Sequence, residues 1–239
     1  MSRPPRFSYA QAVHHVTLRC NNREFLFDES SFGLFFEILQ RGRGEFPISL
    51  YNYCLMTNHV HLLFKVGTEG TLSKFMHWLS TSFTRRFNKA AGRNGHLWEG
   101  RFRSTVIEEA SYFFRSMAYV DLNPVRAEMA ALPADYRWSA HRAICEEDAE
   151  VVAPHPLYLE SGRDRAARAS AYCAMLAEEA GRPPVSLARV YFVGRPHFVV
   201  RMAKRFGLNR PDVLVLREPL GSGLFALGPR PGKGTGAPK

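Results

Sequence analysis

Residues 54–66, with the sequence CLMTNHVHLLFKV, decide the fold of this 239-residue chain. A Thr-Asn turn divides the stretch into two runs rich in residues that favour strands. Side chains alternate between the two faces of a strand, so His59 and His61 leave the same face while Val60 points into the core. The stretch therefore predicts two adjoining strands, with a pair of histidines on one face of a sheet.

The chain on both sides of this stretch alternates between strand and helix patterns. The predicted order is strand, helix, strand, strand, helix, strand and helix, at about residues 13–19, 28–40, 47–55, 59–66, 71–91, 101–108 and 110–122. This is the order of the α+β ferredoxin-like split βαβ fold, in which helices cover one face of a four-stranded antiparallel sheet. The last helix is appended to that fold, and the other face of the sheet is left free for a site.

The sequence changes character after residue 145. Residues 8–145 hold the predicted sheet and its helices, whereas residues 146–216 contain a charged helix and a basic amphipathic segment, HFVVRMAKRFG. We expect 146–216 to form a small helical extension. Residues 217–239 end in LGPRPGKGTGAPK, which is rich in Gly and Pro and carries only positive charges, so we expect a disordered basic tail.

The overall charge points to a negatively charged partner. Lysine and arginine outnumber aspartate and glutamate by 32 to 22, which gives a net charge of +10 and a pI near 9.8. Such an excess favours binding to a polyanion, because each neutralised phosphate releases condensed counterions. The same charge could serve only solubility. Composition alone leaves both interpretations open.

The sequence carries no sign of a membrane or of an oxidising compartment. No apolar run at its start has the length of a signal peptide, and none elsewhere reaches the ~18 residues of a membrane span. We therefore expect a cytoplasmic protein with no membrane partner. The cysteines are scattered, without a CxxC pair or zinc-finger spacing, and we expect free thiols, although a disulfide between any two remains open. They are Cys20, Cys54, Cys145 and Cys173.

The histidine pair could hold a metal ion. His59 and His61 lie about 7 Å apart along one strand face, a separation at which two imidazoles can converge on one cation. A strand whose solvent face merely carries two histidines is the alternative. No third ligand stands nearby in sequence, which argues against a closed structural zinc site. Two histidines with open positions suit a metal that also binds a substrate oxygen.

Two tyrosines share one face of the helix at 110–122. Tyr112 and Tyr119 are seven residues apart, or about two turns. A buried core position is the commoner fate for either ring. A tyrosine has a pKa of about 10, so a nucleophilic one needs a metal or another cation nearby.

Basic residues concentrate between the second long helix and the strand that follows it. They could form a track for phosphates or only a solvated basic face. The single acid among them is Glu99, and the six basic residues are Arg85, Arg86, Lys89, Arg93, Arg101 and Arg103.

Five ordered motifs give this chain a specific resemblance. The stretches HHVTLRCNNREFLF, CLMTNHVHLLF, HLWEGRFRS, YVDLNPVRAEM and DYRWSAHRA lie in this order between residues 14 and 143. In this order they resemble the REP-associated tyrosine transposases, which belong to the single-tyrosine HUH transposases of insertion sequences. The resemblance implies a ferredoxin-like nuclease domain over about residues 8–145. The extension at 146–216 resembles a segment of longer members in which a DNA-binding role is suspected.

The resemblance also implies a chemistry and its residues. It implies an enzyme that nicks single-stranded or hairpin DNA with Mg²⁺ or Mn²⁺, through a covalent 5′-phosphotyrosine that leaves a free 3′-hydroxyl. The metal-binding pair falls on His59 and His61, and the catalytic tyrosine on Tyr112, which leaves Tyr119 as a structural residue. A polar side chain one turn after the tyrosine helps to hold the metal in related enzymes. Here that position is Ser116, a weaker ligand than Gln or Asn.

Two other functions remain open at this stage. A non-catalytic DNA- or RNA-binding protein could keep the fold and lose turnover, and the weak ligand Ser116 favours that alternative. A metal-dependent hydrolase could use His59 and His61 to activate water without a tyrosine intermediate. The sequence also leaves open whether the protein acts as a monomer or a homodimer.

Overall fold

The two strands expected on either side of the Thr-Asn turn are present in the protein as β2 (Ile48–Met56) and β3 (His59–Val66). A computed structural model describes residues 6–23, 27–182, 187, 190–208, 214–217 and 225–229. Among the helices in these ranges, none is long and apolar enough to cross a membrane.

The four-stranded sheet of the ferredoxin-like fold is confirmed. The chain adds β1 (Val13–Arg19) and β4 (Arg103–Ile107) to β2 and β3, in the spatial order β2-β3-β1-β4. All three pairings are antiparallel. In β3 the alternate residues Val60, Leu62, Phe64 and Val66 are apolar and buried, which fixes the register because a slip of one residue would turn the whole set to the other face.

Two long helices cover one face of this sheet. They are α1 (Glu29–Glu45), which Asp28 caps by accepting a hydrogen bond from the backbone NH of Ser31, and α2 (Thr71–Ala90). Their apolar sides bury aromatic rings against the strands; for example, the rings of Phe64 and Phe75 meet edge to face at 5.3 Å. This layer forms most of the hydrophobic core of the domain.

A third helix, α3 (Glu109–Asp121), lies on the opposite face and is followed by the short α4 (Asn123–Arg126). Asn52 of β2 fastens α3 to the sheet, donating hydrogen bonds to the carboxylate of Asp121 at 2.8 Å and to the carbonyl of Met117 at 3.3 Å. The face that was expected to be free for a site is therefore the face that the appended helix crosses.

The direction of α3 follows from the strand before it. In the antiparallel sheet, β4 runs from Arg103, opposite Thr17, to Ile107, opposite Val13. Val13 also pairs with Lys65, near the far end of β3 from the two histidines. The helix therefore begins at that far end, where Glu109 forms an ion pair with Lys65 at 2.8 Å, and runs back toward His59.

The region after residue 145 is more than the helical extension that was expected. It forms α6 (Pro156–Leu159), α7 (Arg165–Ala180) and α8 (Pro196–Arg205), after a short α5 (His141–Glu146) at the end of the first region. It also forms three strands, which extend the sheet to the order β2-β3-β1-β4-β5-β7-β6. These are β5 (Phe192–Gly194), β6 (Leu214–Arg217) and β7 (Phe225–Pro229).

The expectation of a disordered tail over 217–239 is wrong for Arg217, which ends β6, and for residues 225–229, which form β7. In β7, Ala226 and Leu227 are buried, and Leu227 accepts a hydrogen bond of 2.7 Å from the backbone NH of Tyr191. The partner strand β5 gives this short apolar run a sheet to join, which its own Gly/Pro content did not suggest. The rest of the expected tail, 218–224 and 230–239, lies outside the described residues.

Both sides of the four-stranded sheet carry backbone partners. At β4, Val106 and Ile107 pair in parallel with β5. At the outer side of β2, the segment 138–140 forms backbone hydrogen bonds of 2.9 Å with Tyr53 and Leu55. Leu50, further along β2, accepts a hydrogen bond of 2.7 Å from Ala153. The C-terminal region therefore covers part of both edges.

Candidate active site

The register of the sheet brings the two predicted metal ligands into one short block of side chains. His59 pairs with Arg19 and His61 with Thr17. Paired residues of antiparallel strands point to the same side, so all four side chains leave the face that α3 crosses. The rings of His59 and His61 are 4.8 Å apart between centroids.

A third histidine, His15, belongs to this block and was missed by the sequence analysis. It lies one alternate position from Thr17 on β1, and its Nε2 is joined to Nδ1 of His61 by a hydrogen bond of 2.9 Å. Thr17 Oγ1 lies 3.4 Å from the same Nδ1. The motif HHV shows that a histidine lies on this strand. Only the strand register tells which of its two histidines faces His61.

The other nitrogen of His61 fits a metal ligand. Its Nε2 is buried and has no hydrogen-bond partner among the residues that the structure describes. Buried polar atoms are rarely left unpaired, so such an atom calls for a missing partner. On the neighbouring ligand, Nδ1 of His59 is held at 2.7 Å from Oδ1 of Asn58. Two imidazoles oriented in this way could hold one divalent cation between them.

The three imidazoles are neutral near pH 7, as metal binding requires. Burial lowers the pKa of His59 and of His15 to about 4, with smaller contributions from Arg19 and His59, respectively. Burial also lowers the pKa of His61 well below its usual value, and the neighbouring histidines act in the same direction. An uncharged imidazole offers a free lone pair to a cation.

The structure brings Tyr119, and not Tyr112, against the histidines. The ring of Tyr119 meets those of His15 and His61 edge-on, with centroids 5.3 and 5.5 Å away. Tyr112 is buried two turns earlier, near the Arg115–Glu179 ion pair.

Helix direction explains this outcome. From Glu109 to Tyr119 the helix advances about 15 Å, and from Lys65 to His61 the strand covers about 13 Å. Since Glu109 and Lys65 are paired, Tyr119 arrives opposite His61. Tyr112, to which the resemblance assigned the catalytic role, lies two turns earlier on α3 and therefore nearer the Lys65 end of the strand.

The electrostatic surroundings of Tyr119 are mixed. Burial raises the pKa of its phenol above the usual value, and the positive charges of Arg126 and Arg19 act against that shift. The pKa of Tyr112 is raised further, again because of burial. Two arginines therefore favour the phenolate of Tyr119, whereas the favourable charge of Arg115 near Tyr112 is opposed by that of Glu179.

The polar residue that lies one turn after the tyrosine also differs from the predicted one. Ser116 is fully buried, and its hydroxyl has no hydrogen-bond partner in the described part of the chain, so it does not bond to either histidine. One turn after Tyr119 stands Asn123, whose Nδ2 donates to the carbonyl of Tyr119 at 2.5 Å. The side-chain oxygen of Asn123 takes no part in that hydrogen bond. It was missed because the polar position was counted from Tyr112.

The predicted basic track divides between two faces. Arg103 pairs with Thr17, so it lies on the histidine face of the sheet, while Arg101 precedes β4 at the same end. The residues on α2 are exposed on the opposite face: they are Arg85, Arg86 and Lys89. Arg86 is already paired with Glu37 at 2.7 Å.

The two parts of the basic track meet at one end of the sheet. Arg93 lies in the loop that joins α2 to β4. In that loop, the ring of Trp98 packs at a tilt against that of Phe83 of α2, and Trp98 forms a backbone bridge with Cys20 at the end of β1. The loop therefore connects the basic side of α2 with the strand end that bears Arg19.

Comparisons with known proteins agree with this architecture. Residues 8–123 match the family model described as transposase, IS200-like. A search of curated proteins finds no significant match.

Two solved structures resemble the chain. One is a REP-associated tyrosine transposase bound to a REP hairpin, at 16% identity and a TM-score of 0.53, over 62% of this chain and 87% of that chain. The other is a candidate transposase from Deinococcus radiodurans R1, at 19% identity and a TM-score of 0.36, over 54% of this chain and 92% of that one. The first likeness establishes a shared fold. The family match over residues 8–123 shows that this part of the chain is similar to the IS200-like transposases.

Proposed function

We propose that this protein cuts and rejoins single-stranded DNA at hairpins, with Tyr119 as the nucleophile. The observation that carries the proposal is the contact of the Tyr119 ring with His15 and His61, beside the Nε2 of His61, for which the described residues offer no hydrogen-bond partner. A similar transposase fold is found bound to a REP hairpin, which supports hairpin DNA as the substrate class. Tyr119 takes the role that the sequence analysis gave to Tyr112.

The reaction needs one bond to form and one to break. The phenol oxygen of Tyr119 attacks the scissile phosphorus in line and loses its proton. The bond from phosphorus to the 3′ oxygen breaks, and the 3′ oxygen leaves as a hydroxyl after it takes up a proton. The 5′ phosphate stays on Tyr119, and a 3′-hydroxyl that attacks this phosphotyrosine rejoins the strand and frees the enzyme.

The histidine pair and Asn123 would hold the cation of this site. His59 and His61 would supply nitrogen ligands, and Asn123 would supply the amide oxygen, in the position that was assigned to Ser116. Two imidazoles with an oxygen ligand suit Mn²⁺ better than Mg²⁺, which prefers oxygen alone. When bound, such a cation polarises the scissile phosphate.

Arginines at the same end of the sheet would bind the DNA backbone. Arg19 shares the sheet face of the histidines and acts electrostatically on His59, His61 and Tyr119. Arg103 lies on that face one strand further away. The positive charges of these two arginines would neutralise the phosphate that the tyrosine attacks and would hold the DNA strand in place.

The alternatives lose the features that favoured them. A binding protein without turnover was favoured because Ser116 is a weak ligand. With Asn123 proposed as the oxygen ligand, that reason no longer applies. A hydrolase that activates water would gain nothing from a tyrosine ring against its ligand histidines. Both remain outcomes of the experiment below.

The test is a labelled hairpin oligonucleotide incubated with the full-length protein and Mn²⁺, and resolved on a denaturing gel. A covalent protein–DNA adduct that a chelator prevents is the expected result. Binding without an adduct would support the binding protein, and cleavage to free fragments without an adduct would support the hydrolase. Either of these results would overturn the proposal.

A further inference from the structure

A second group of metal-ligating side chains lies where α5 meets α7. His141 and Cys145 stand one turn apart on α5, and Cys173 lies on α7. One ligand atom from each of the three is within 4.8 Å of the other two, and Nε2 of His141 is 3.8 Å from Sγ of Cys145. The group shares no residue with the histidine pair of the candidate active site.

The imidazole of His141 is aimed at the two thiols by a buried carboxylate. Its Nδ1 lies 2.9 Å from Oδ2 of Asp121, which turns Nε2 toward the sulfur atoms. A carboxylate on the far nitrogen is the usual arrangement behind a metal-binding histidine, because it fixes the tautomer and makes the imidazole a better donor.

The carboxylate is itself fixed from two further sides. Tyr172 donates its hydroxyl to Oδ2 of Asp121, and Asn52 donates to Oδ1, both at 2.8 Å. All of Asp121 is buried. The orientation of His141 is therefore set by partners on β2, α3 and α7. A chance contact between a histidine and a cysteine would not have this network of hydrogen bonds behind the imidazole.

We propose that His141, Cys145 and Cys173 bind one Zn²⁺ ion. Two sulfurs and one imidazole nitrogen are the donor set that this cation prefers, and the three can occupy three corners of a tetrahedron. Cys173 is exposed, so water can reach the fourth position. A disulfide between the two cysteines is the competing arrangement, but it would give the oriented imidazole no role.

The ion would tie the C-terminal region to the helix of the active site. Cys173 brings in α7, His141 brings in α5, and Asp121 stands two residues after Tyr119 on α3. Loss of the ion would loosen α7 first, since α7 contributes the exposed ligand.

The experiment uses full-length protein in reducing buffer, loaded with Zn²⁺ and freed of excess by gel filtration. Elemental analysis should find about one Zn²⁺ per chain in the wild type and a loss of at least ~10-fold in occupancy in Cys145→Ser and Cys173→Ser. Loading with Co²⁺ should give the sulfur-to-metal charge-transfer band, weakened in both variants. This readout needs neither DNA nor cleavage, so its failure is distinct from failure of the proposed function.

Two controls separate this site from the rest of the molecule. Ser170→Ala, an exposed change on the same helix α7, and His61→Ala, in the active site, should both keep the full zinc content. The proposal is overturned if the wild type retains no zinc, if Cys173→Ser retains as much as the wild type, or if intact mass shows the two cysteines as a disulfide in this buffer.

Discussion

His15 Nε2 and His61 Nδ1 lie 2.9 Å apart, and their rings are nearly parallel across neighbouring strands. A cation on Nε2 of His61 requires that nitrogen to be unprotonated, so the proton of this imidazole sits on Nδ1 and is donated to His15. His15 thereby fixes the tautomer and the ring orientation of His61. It is a positioning residue for the histidine pair.

Replacing His15 should therefore weaken metal binding more than it lowers the maximal rate. In His15→Ala we expect the Mn²⁺ concentration for half-maximal cleavage to rise by about 10–100-fold, with much of the rate restored at saturating metal. His14→Gln is the matched control, because His14 is also buried but bonds to Ser8 and Ser104 on the other face. An unchanged metal dependence in His15→Ala would refute the positioning role.

The nucleophile can be identified by removing one hydroxyl at a time. Tyr119→Phe should bind hairpin DNA and lose adduct formation by roughly 10⁴-fold or more, since no other group can carry the phosphate. Tyr112→Phe should still form the adduct, with a stability change of about 1 kcal/mol or less. Mass spectrometry of the trapped adduct gives the decisive reading: a nucleotide on the peptide that carries Tyr112 would reverse the assignment.

The third metal ligand can be tested with a similar pair of variants. Asn123→Ala should raise the metal requirement of cleavage by about 10-fold or more, because it removes an oxygen ligand. Ser116→Ala should leave the metal requirement unchanged, since the buried hydroxyl of Ser116 has no hydrogen-bond partner within the described ranges of the chain. Titration of cleavage against Mn²⁺ compares the two. The reverse pattern would return the ligand to Ser116.

The basic residues should differ in their contribution to DNA binding. If Arg19 and Arg103 contact phosphates, each alanine variant should flatten the slope of log affinity against log salt by up to about 0.7 for single strands. Arg86→Ala should have the smallest effect, because Glu37 already neutralises that charge. Fluorescence anisotropy over a range of salt measures the slopes. Equal slopes for all variants would mean that the cluster is a solvated surface.

The C-terminal strand makes a prediction about stability. Truncation after residue 217 removes β7, exposes the edge of β5, and should lower the melting temperature by roughly 5–10 °C. Truncation after residue 229 keeps β7 and should leave the melting temperature within about 2 °C of the full chain. Thermal unfolding followed by circular dichroism distinguishes the two proteins. Equal melting temperatures would show that β7 contributes nothing to stability.

The sequence predicted the parts of the structure that depend on local periodicity. The alternation in β3 and the apolar stripe of α2 gave both elements within two residues, and the spacing of His59 and His61 gave their shared face. The choice between Tyr112 and Tyr119 depended on which way α3 runs across the sheet, which is a property of the topology. It could have been worked out from the direction of β4 once the antiparallel order was assumed.

Other features had no local signal at all. The three residues of β5 are too few for a periodic pattern, and β7 lies among glycines and prolines that indicate disorder. His141, Cys145 and Cys173 have no metal-binding spacing in the sequence, because the third ligand comes from a different helix. Only the packing of α5 against α7 brings them together.

The backbone partners along the two sides of the four-stranded sheet limit how copies of the protein can associate. An open strand edge is a template for another chain, and β4 would be such an edge without β5 beside Val106 and Ile107. A homodimer therefore cannot continue the sheet from Val106 and Ile107 of β4 into a second copy. A fragment that ends at residue 145 would bare this edge, and we expect it to self-associate and precipitate at concentrations where the whole chain stays dispersed.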